Sequence, residues 1–185
     1  HYSGCNEHRK TPVRLAAAEM AFHGEWGRDG YIYWTNALTS GIVRTLAEGG
    51  DTENVTTVNG DAQERNHRFA RLLPGGKAVM FTVASGEIES YDDARIDVVE
   101  LASKKRKPLI KGGTYARYSP SGHIVYARGG SLYAVPVDAS TLEVRGTPVK
   151  VLDGVLMSTN IGSALFDISP KGDLAYAIGP AEDGH

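Results

Sequence analysis

Short apolar runs rich in Val, Ile, Tyr and Phe recur along the chain, separated by turns that contain glycine or proline. In four places such a turn stands between two of these runs, which is typical of a β-hairpin. Two further strand-like runs follow in each full repeat, and in the third they lie at 131–137 and 148–152. No convincing amphipathic helix is present. The pattern therefore predicts an all-β chain.

The four hairpin segments are copies of one repeat. Each copy has a glycine at the end of its turn, and successive glycines are 46, 46 and 50 residues apart: Gly30, Gly76, Gly122 and Gly172. Four short strands in a unit of about 40 to 50 residues is the period of a β-propeller blade. The sequence predicts one propeller domain, 1–185, built of four-stranded antiparallel blades, with repeats at approximately 19–60, 61–111, 112–154 and 155–185.

The repeat carries a family resemblance. Its Ser-Pro-x-Gly turn, apolar strand and Pro-Val-x-Val-Leu outer strand resemble the TolB-type and WD40-like propeller repeats. Segments 66–76 and 113–128 are similar to propellers attached to bacterial serine/threonine kinases, which implies a periplasmic or extracytoplasmic location. The resemblance spans roughly 12–179 and is specific for fold, because propellers serve as sensors, scaffolds and enzymes alike. No kinase motif accompanies it, so we do not expect a kinase.

Closure of the ring bears directly on function, because propellers need about four to eight blades. The chain holds three full repeats, an inner hairpin at Ser163–Ala177, and Thr11–Leu15, which we interpret as an outer strand although Arg14–Met20 is Ala-rich enough to suggest a helix. These two pieces could complete a four-bladed ring, pair with a second chain in an eight-bladed dimer, or belong to a longer propeller. Unpaired strands would expose aggregation-prone edges, so we expect a two-fold homodimer.

Candidate functional residues lie on the innermost strands, which line the propeller channel. A charged residue stands five positions before each repeat glycine: Glu25, Arg71, Arg117 and Asp167. Alternation along a strand predicts that they share a face with the residues two positions earlier: His23, Phe69, Tyr115 and Leu165. The residues four before each glycine should pack between blades instead: Trp26, Leu72, Tyr118 and Ile168.

Two interpretations of the four charges stay open. They can neutralise one another as ion pairs, as charges removed from water normally do. Alternatively, Arg71 and Arg117 can present planar guanidinium groups to a phosphate or carboxylate ligand. In the second interpretation the four charged residues are candidate catalytic or ligand-binding residues, and a small anionic ligand or a protein is the expected partner.

A metal hypothesis rests on His23, Glu25 and His67, which place two imidazoles and a carboxylate near one channel mouth. Zinc, manganese or iron accepts such mixed ligands and activates water. Arg71 and Arg117 would then stabilise negative charge during hydrolysis of an anionic ester such as a phosphoester. The chain contains no His-Glu-x-x-His pattern. Glu7 and His8 could add ligands, although no spacing requires it.

Composition narrows the function only slightly. Hydrophobic residues make up 41% and charged residues 23%, as in ordinary globular proteins. The net charge of −2 gives no overall reason to expect nucleic acid, and we interpret the basic run 104–107 as an exposed hairpin tip. No apolar run reaches the ~18 residues of a membrane-spanning helix, no secretory signal is visible, and Cys5 is alone. The hypotheses are a binding module, a metal-assisted hydrolase or an inactive structural fragment.

Overall fold

The computed structural model describes residues 14–18, 22–86 and 88–182, and it is all-β apart from two short 3-10 helices, Gly60–Ala62 and Tyr91–Asp93. Two complete blades open the described chain, each an antiparallel sheet whose strands pair in sequence order. The first blade contains β1 (Phe22–Trp26), β2 (Tyr31–Thr35), β3 (Ile42–Leu46) and β4 (Thr52–Asn54). The second contains β5 (Glu64–Leu72), β6 (Ala78–Ser85), β7 (Arg95–Glu100) and β8 (Arg106–Lys111).

The third blade carries a small additional strand. It consists of β9 (Thr114–Ser119), β10 (His123–Arg128), β11 (Ser131–Asp138), β12 (Glu143–Val144) and β13 (Val149–Asp153). Both β12 and β13 pair with β11, so a short hairpin is inserted before the outer strand. The antiparallel four-stranded sheets of a propeller, predicted from the repeat, are therefore present in the structure.

The fourth blade is made of short pieces: β14 (Met157–Ser158), β15 (Ser163–Ala164), β16 (Phe166–Ile168), β17 (Leu174–Tyr176) and β18 (Ala181–Glu182). The predicted inner hairpin forms, because β16 pairs antiparallel with β17. Strand β14 adds to β15, and β18 runs parallel to β14. Within the described residues, no sheet joins this blade to the first one, so a closed ring is not observed.

The inner hairpins differ in turn length. Five residues separate the cross-strand partners in three blades: Trp26 and Ile32, Tyr118 and Ile124, Ile168 and Leu174. Six residues separate Leu72 from Val79 in the second blade. That longer turn contains two consecutive residues with positive φ, Gly75 at 85° and Gly76 at 66°, a conformation that glycine adopts without steric cost.

Three of the five buried apolar clusters in the described residues lie between neighbouring blades. The first cluster includes Tyr33 and Phe81, the second Met80 and Tyr126, and the third Leu132 and Phe166. Partly buried residues from the predicted interblade positions join each cluster: Leu72, Tyr118 and Ile168. Trp26, the equivalent residue of the first blade, joins none of these clusters, and its side chain is 69% exposed. No blade precedes β1 in the described part of the chain to cover it.

The segment 14–18, which precedes the first blade, does not form the predicted outer strand. Of the predicted outer strand Thr11–Leu15, only Arg14 and Leu15 lie within the described residues, and they form no strand. Residues 14–18 are not helical either, and Leu15 and Ala16 pack against the buried side chains of the first blade, among them Trp34. Glu7 and His8 lie outside the described residues.

Among the residues that the structure describes, no helix is both long enough and apolar enough to cross a membrane.

Candidate ligand-binding site at the propeller axis

Three inner strands carry the same irregularity. His23, Phe69 and Tyr115 have positive φ values of 33°, 57° and 54°, and each is 46 residues from the next. The strand pairing shifts register at or beside each of them, as it does at a β-bulge. Left-handed backbone at a non-glycine residue costs ~1–3 kcal/mol and tends to occur at functional sites. The three bulges therefore indicate a candidate functional site at the axis, where the inner strands depart from regular β geometry.

The bulge residues bring aromatic rings together around the axis. The Tyr115 ring lies 4.9 Å from that of Phe69, 6.0 Å from that of His23 and 5.7 Å from that of Phe166, between ring centroids. The prediction that Leu165 would occupy the fourth position is wrong. Leu165 is exposed, and the adjacent Phe166 contributes the ring. Leu165 also lacks the positive φ of the three bulge residues.

The four predicted charges meet beside these rings. Arg71 Nη1 lies 2.5 Å from a carboxylate oxygen of Glu25, and Arg71 Nη2 lies 3.7 Å from Asp167 Oδ1. Arg117 Nε donates to the same Asp167 oxygen at 3.0 Å. Side chains from all four blades thus form one chain of ion pairs with two positive and two negative charges. We call Glu25, Arg71, Arg117 and Asp167 the axial ring.

Exposure divides the axial ring into two parts. The Arg117 side chain is only 4% exposed, and its guanidinium lies 3.8 Å from the centre of the Tyr115 ring, a cation–π contact. Burial and the positive charge of Arg71 lower the pKa of Arg117. The Asp167 side chain is 64% exposed, although it accepts a hydrogen bond from that buried guanidinium. A fixed, crowded cation site is therefore neutralised by a carboxylate that faces solvent.

His23 completes the polar surroundings of the axial ring. Burial lowers its pKa to about 4, and the charges of Arg71 and Arg117 add to this effect while Asp167 opposes it. The imidazole is accordingly neutral at pH 7. Its Nε2 is buried and has no hydrogen-bond partner among the described residues. A shallow depression of about 370 Å³ opens next to the axial ring. Tyr115 and Asp167 line it on one side, and β17 residues line it on the other.

His67, the third predicted metal ligand, lies in a different cluster. Its ring nitrogens contact Thr56 Oγ1 at 2.7 Å and Glu64 Oε2 at 3.1 Å, and its ring packs on Phe81. The predicted set of His23, Glu25 and His67 is thus not brought together. In the described residues, no group of three His, Cys, Asp or Glu side chains is arranged to hold a metal ion.

The cluster around His67 is a buried charge network that joins β5, β7 and β8. Glu64 and Asp97 are both shared between Arg95 and Arg106. Burial would raise the pKa of Glu64, but hydrogen bonds from Arg106, the Asn59 backbone and His67 lower it to about 2. Arg106 was expected on an exposed hairpin tip, and that prediction is wrong for this residue. One signal was available in the sequence, since Asp97 interrupts the apolar run 96–99.

No family model matches this chain, and no curated protein sequence matches it. Solved structures do match. Regucalcin, a calcium-binding protein from Agrobacterium tumefaciens str. C58, has a TM-score of 0.61 and 18% identity over 86% of this chain and 53% of its own. A luciferin-regenerating enzyme has a TM-score of 0.60 and 13% identity over 90% of this chain and 57% of its own. A puromycin-hydrolyzing peptidase from Mycobacterium tuberculosis has a TM-score of 0.51 and 14% identity over 72% of this chain and 24% of its own.

These similarities concern the fold. Both regucalcin and the luciferin-regenerating enzyme are β-propeller proteins, so the β-propeller prediction is confirmed. The narrower TolB-type or WD40-like assignment stays a resemblance of sequence motifs. The chain spans about half the length of these two propellers.

Proposed function

We propose that this chain is a ligand-binding β-propeller segment whose axial ring takes a small carboxylate or phosphate. The observation that carries the proposal is the position of Asp167. Its carboxylate contacts both Arg71 and Arg117, so it occupies the place that the carboxylate of a ligand would take. Two guanidinium groups from different blades offer several N–H donors to such an anion.

Asp167 is the member of this ion pair that leaves most easily, because its exposed carboxylate regains water when it is displaced. Asp167 is largely exposed, and its contact with Arg71 is long at 3.7 Å. Arg117 is buried and needs an anionic partner once Asp167 has moved away. An incoming anion with better geometry than Asp167 would therefore bind with a net gain.

The remaining groups favour a defined ligand position. The Tyr115 ring holds the Arg117 guanidinium in one plane, and an Arg117 Nη1 bond to the Ala116 carbonyl fixes its orientation. Glu25 restrains Arg71 in the same way. Preorganised groups bind more tightly, because less side-chain entropy is lost on association.

The proposal predicts opposite effects for two substitutions in one ion pair. Asp167→Asn removes the competing carboxylate and should tighten anion binding roughly 2- to 5-fold. Arg117→Met removes a charge-assisted hydrogen bond worth ~1.5–3 kcal/mol and should weaken binding roughly 10- to 150-fold. Calorimetric titration with phosphate, acetate and succinate measures both effects, and a parallel titration in a chelator tests the metal hypothesis.

A matched control lies on the first blade. Glu53 pairs with Arg44 at 2.7 Å in an exposed ion pair outside the axial ring, so Glu53→Gln removes a similar carboxylate and should leave anion binding unchanged. If Asp167→Asn weakened anion binding, or if Arg117→Met left it intact, the axial ring would not be the anion site.

A further inference from the structure

Each blade contacts its predecessor through an equivalent position on the inner strand. Leu72 packs into the cluster between the first and second blades, Tyr118 into the next, and Ile168 into the last. Trp26 is the fourth member of this series, and no blade precedes it in the described residues. Its indole is 69% exposed. An exposed tryptophan at a position that is otherwise used for interblade packing indicates an unfilled blade contact.

The opposite half of the same contact is present on the fourth blade. In the first three blades, the residue paired across the hairpin with the axial charge packs against the following blade: Tyr33, Met80 and Val125. The corresponding residue of the fourth blade is Ala175, which pairs with Asp167 and is exposed. Around it lie Leu165, which is 54% exposed, and the depression of about 370 Å³.

We propose that Trp26 of a second copy of this chain docks into the depression beside Ala175 and Leu165. The two surfaces have matching chemistry, because a large flat indole meets a shallow, mostly apolar depression, edged by Asp167, in which a small alanine leaves room. They also repeat a contact that the chain already makes three times within itself. Each copy has both halves, so two head-to-tail contacts related by a two-fold axis form a closed dimer.

A second copy is a better occupant than an unrelated partner for one reason. The proposed contact needs two surfaces, an exposed tryptophan at an interblade position and an uncovered blade face. This chain has the first on its first blade and the second on its fourth blade. Each copy contributes four blades, so two copies together fall within the range of about four to eight blades that closes a propeller ring.

Light scattering of the chain, resolved by size-exclusion chromatography, tests this contact. The 19.9 kDa chain should elute with twice its mass at micromolar concentration and dissociate on dilution. Trp26→Asp should weaken self-association at least 10-fold. The control is Val149→Asp, which places the same charge at a residue of similar exposure, 64%, on the outer strand β13. It should leave the dimer intact. Far-ultraviolet circular dichroism verifies that each variant is folded.

The head-to-tail arrangement has its own test. Leu165→Asp should also give a monomer, and mixing it with Trp26→Asp should restore association, because the mixed pair retains one unaltered contact. The fluorescence of Trp26 should shift to shorter wavelength as the dimer forms, whereas Trp34 is already buried. A monomer at every concentration, a dimer that survives Trp26→Asp, or a mixture that stays monomeric would overturn the proposal.

Discussion

At the scale of single residues, the protonation of His67 can be read from its neighbours. Thr56 Oγ1 accepts a hydrogen bond from the Ile42 backbone N–H, so its own proton is free to bond His67 Nδ1. In that arrangement His67 Nε2 carries the ring proton and can donate it to Glu64, so Arg106 Nη1, which also lies 3.3 Å from Nε2, does not hydrogen-bond to it. This neutral tautomer agrees with the His67 pKa, which burial lowers to about 4 even though Glu64 opposes the shift.

The lowered pKa of His67 predicts a loss of stability in mild acid. The unfolded imidazole binds a proton near pH 6.5, whereas the folded one resists protonation until about pH 4. The unfolded state thus holds more protons between these values, and the free energy of unfolding falls as the pH decreases from about 6.5 to about 4. His67→Gln, which cannot titrate but can still donate and accept hydrogen bonds, should flatten this slope in urea unfolding experiments.

His123 supplies the control for that measurement. It lies on β10 and is only partly buried, and its ring Nδ1 lies within hydrogen-bonding distance of the nearby Ser121. His123→Gln should leave the pH slope as it is. An unchanged slope in His67→Gln would mean that another group accounts for the acid sensitivity; His23 is then the first residue to replace, since its pKa is also lowered to about 4.

A bulge explains why His67 was assigned to the wrong cluster. His67, Phe69 and Arg71 are two positions apart, so simple alternation places all three on one face. Phe69 adopts a left-handed conformation, and the pairing of β5 with β6 shifts register between Arg68 and Arg71. A one-residue shift turns the preceding side chains to the other face. The residue types alone do not reveal such a bulge, because it depends on the neighbouring blades.

At the scale of strands, the network of Glu64, Asp97, Arg95 and Arg106 fastens β5 to β7 and β8. Both carboxylates are buried, and each forms ion pairs with the two arginines. Because the charges balance, the network stays stable only while all members are present. Its role in the second blade is structural.

This network predicts very different effects for neighbouring basic residues. Arg106→Ala leaves two buried carboxylates short of a partner and should lower the free energy of unfolding by about 3 kcal/mol. Lys105→Ala, one position earlier in the same basic run, should change it by less than about 0.5 kcal/mol, because that side chain is exposed. Urea denaturation measures both, and equal effects would contradict a structural role for the network.

Also at this scale, the repeat glycines align equivalent positions correctly on the inner strand of each blade, but less accurately on the second strand. The charged positions 25, 71 and 117 are truly equivalent, because each pairs with the corresponding residue of its hairpin: Tyr33, Met80 and Val125. The extra turn residue of the second repeat shifts β6 by one position relative to β2 and β10. A constant glycine spacing conceals this shift, since Gly75 and Gly76 stand side by side.

At the scale of the whole molecule, order should decrease from the middle of the chain toward its last blade. Seven of the eight residues of β6 are buried, whereas all three residues of β17 are exposed. Amide protons open most easily where few apolar contacts cover the backbone. Hydrogen exchange measured by mass spectrometry should therefore be slower in β6 than in β17. Equal protection at dilutions where the chain is monomeric would contradict this gradient.

The sequence by itself determined the repeated antiparallel blades and the positions of Glu25, Arg71, Arg117 and Asp167. Both follow from local information, namely turn residues, strand alternation and a period that places equivalent residues around one axis. Only the tertiary structure decided which face His67 occupies, that Phe166 replaces Leu165, and that Asp167 is exposed while Arg117 is buried. These features depend on bulges and on packing between blades, which are contacts between residues far apart in the chain.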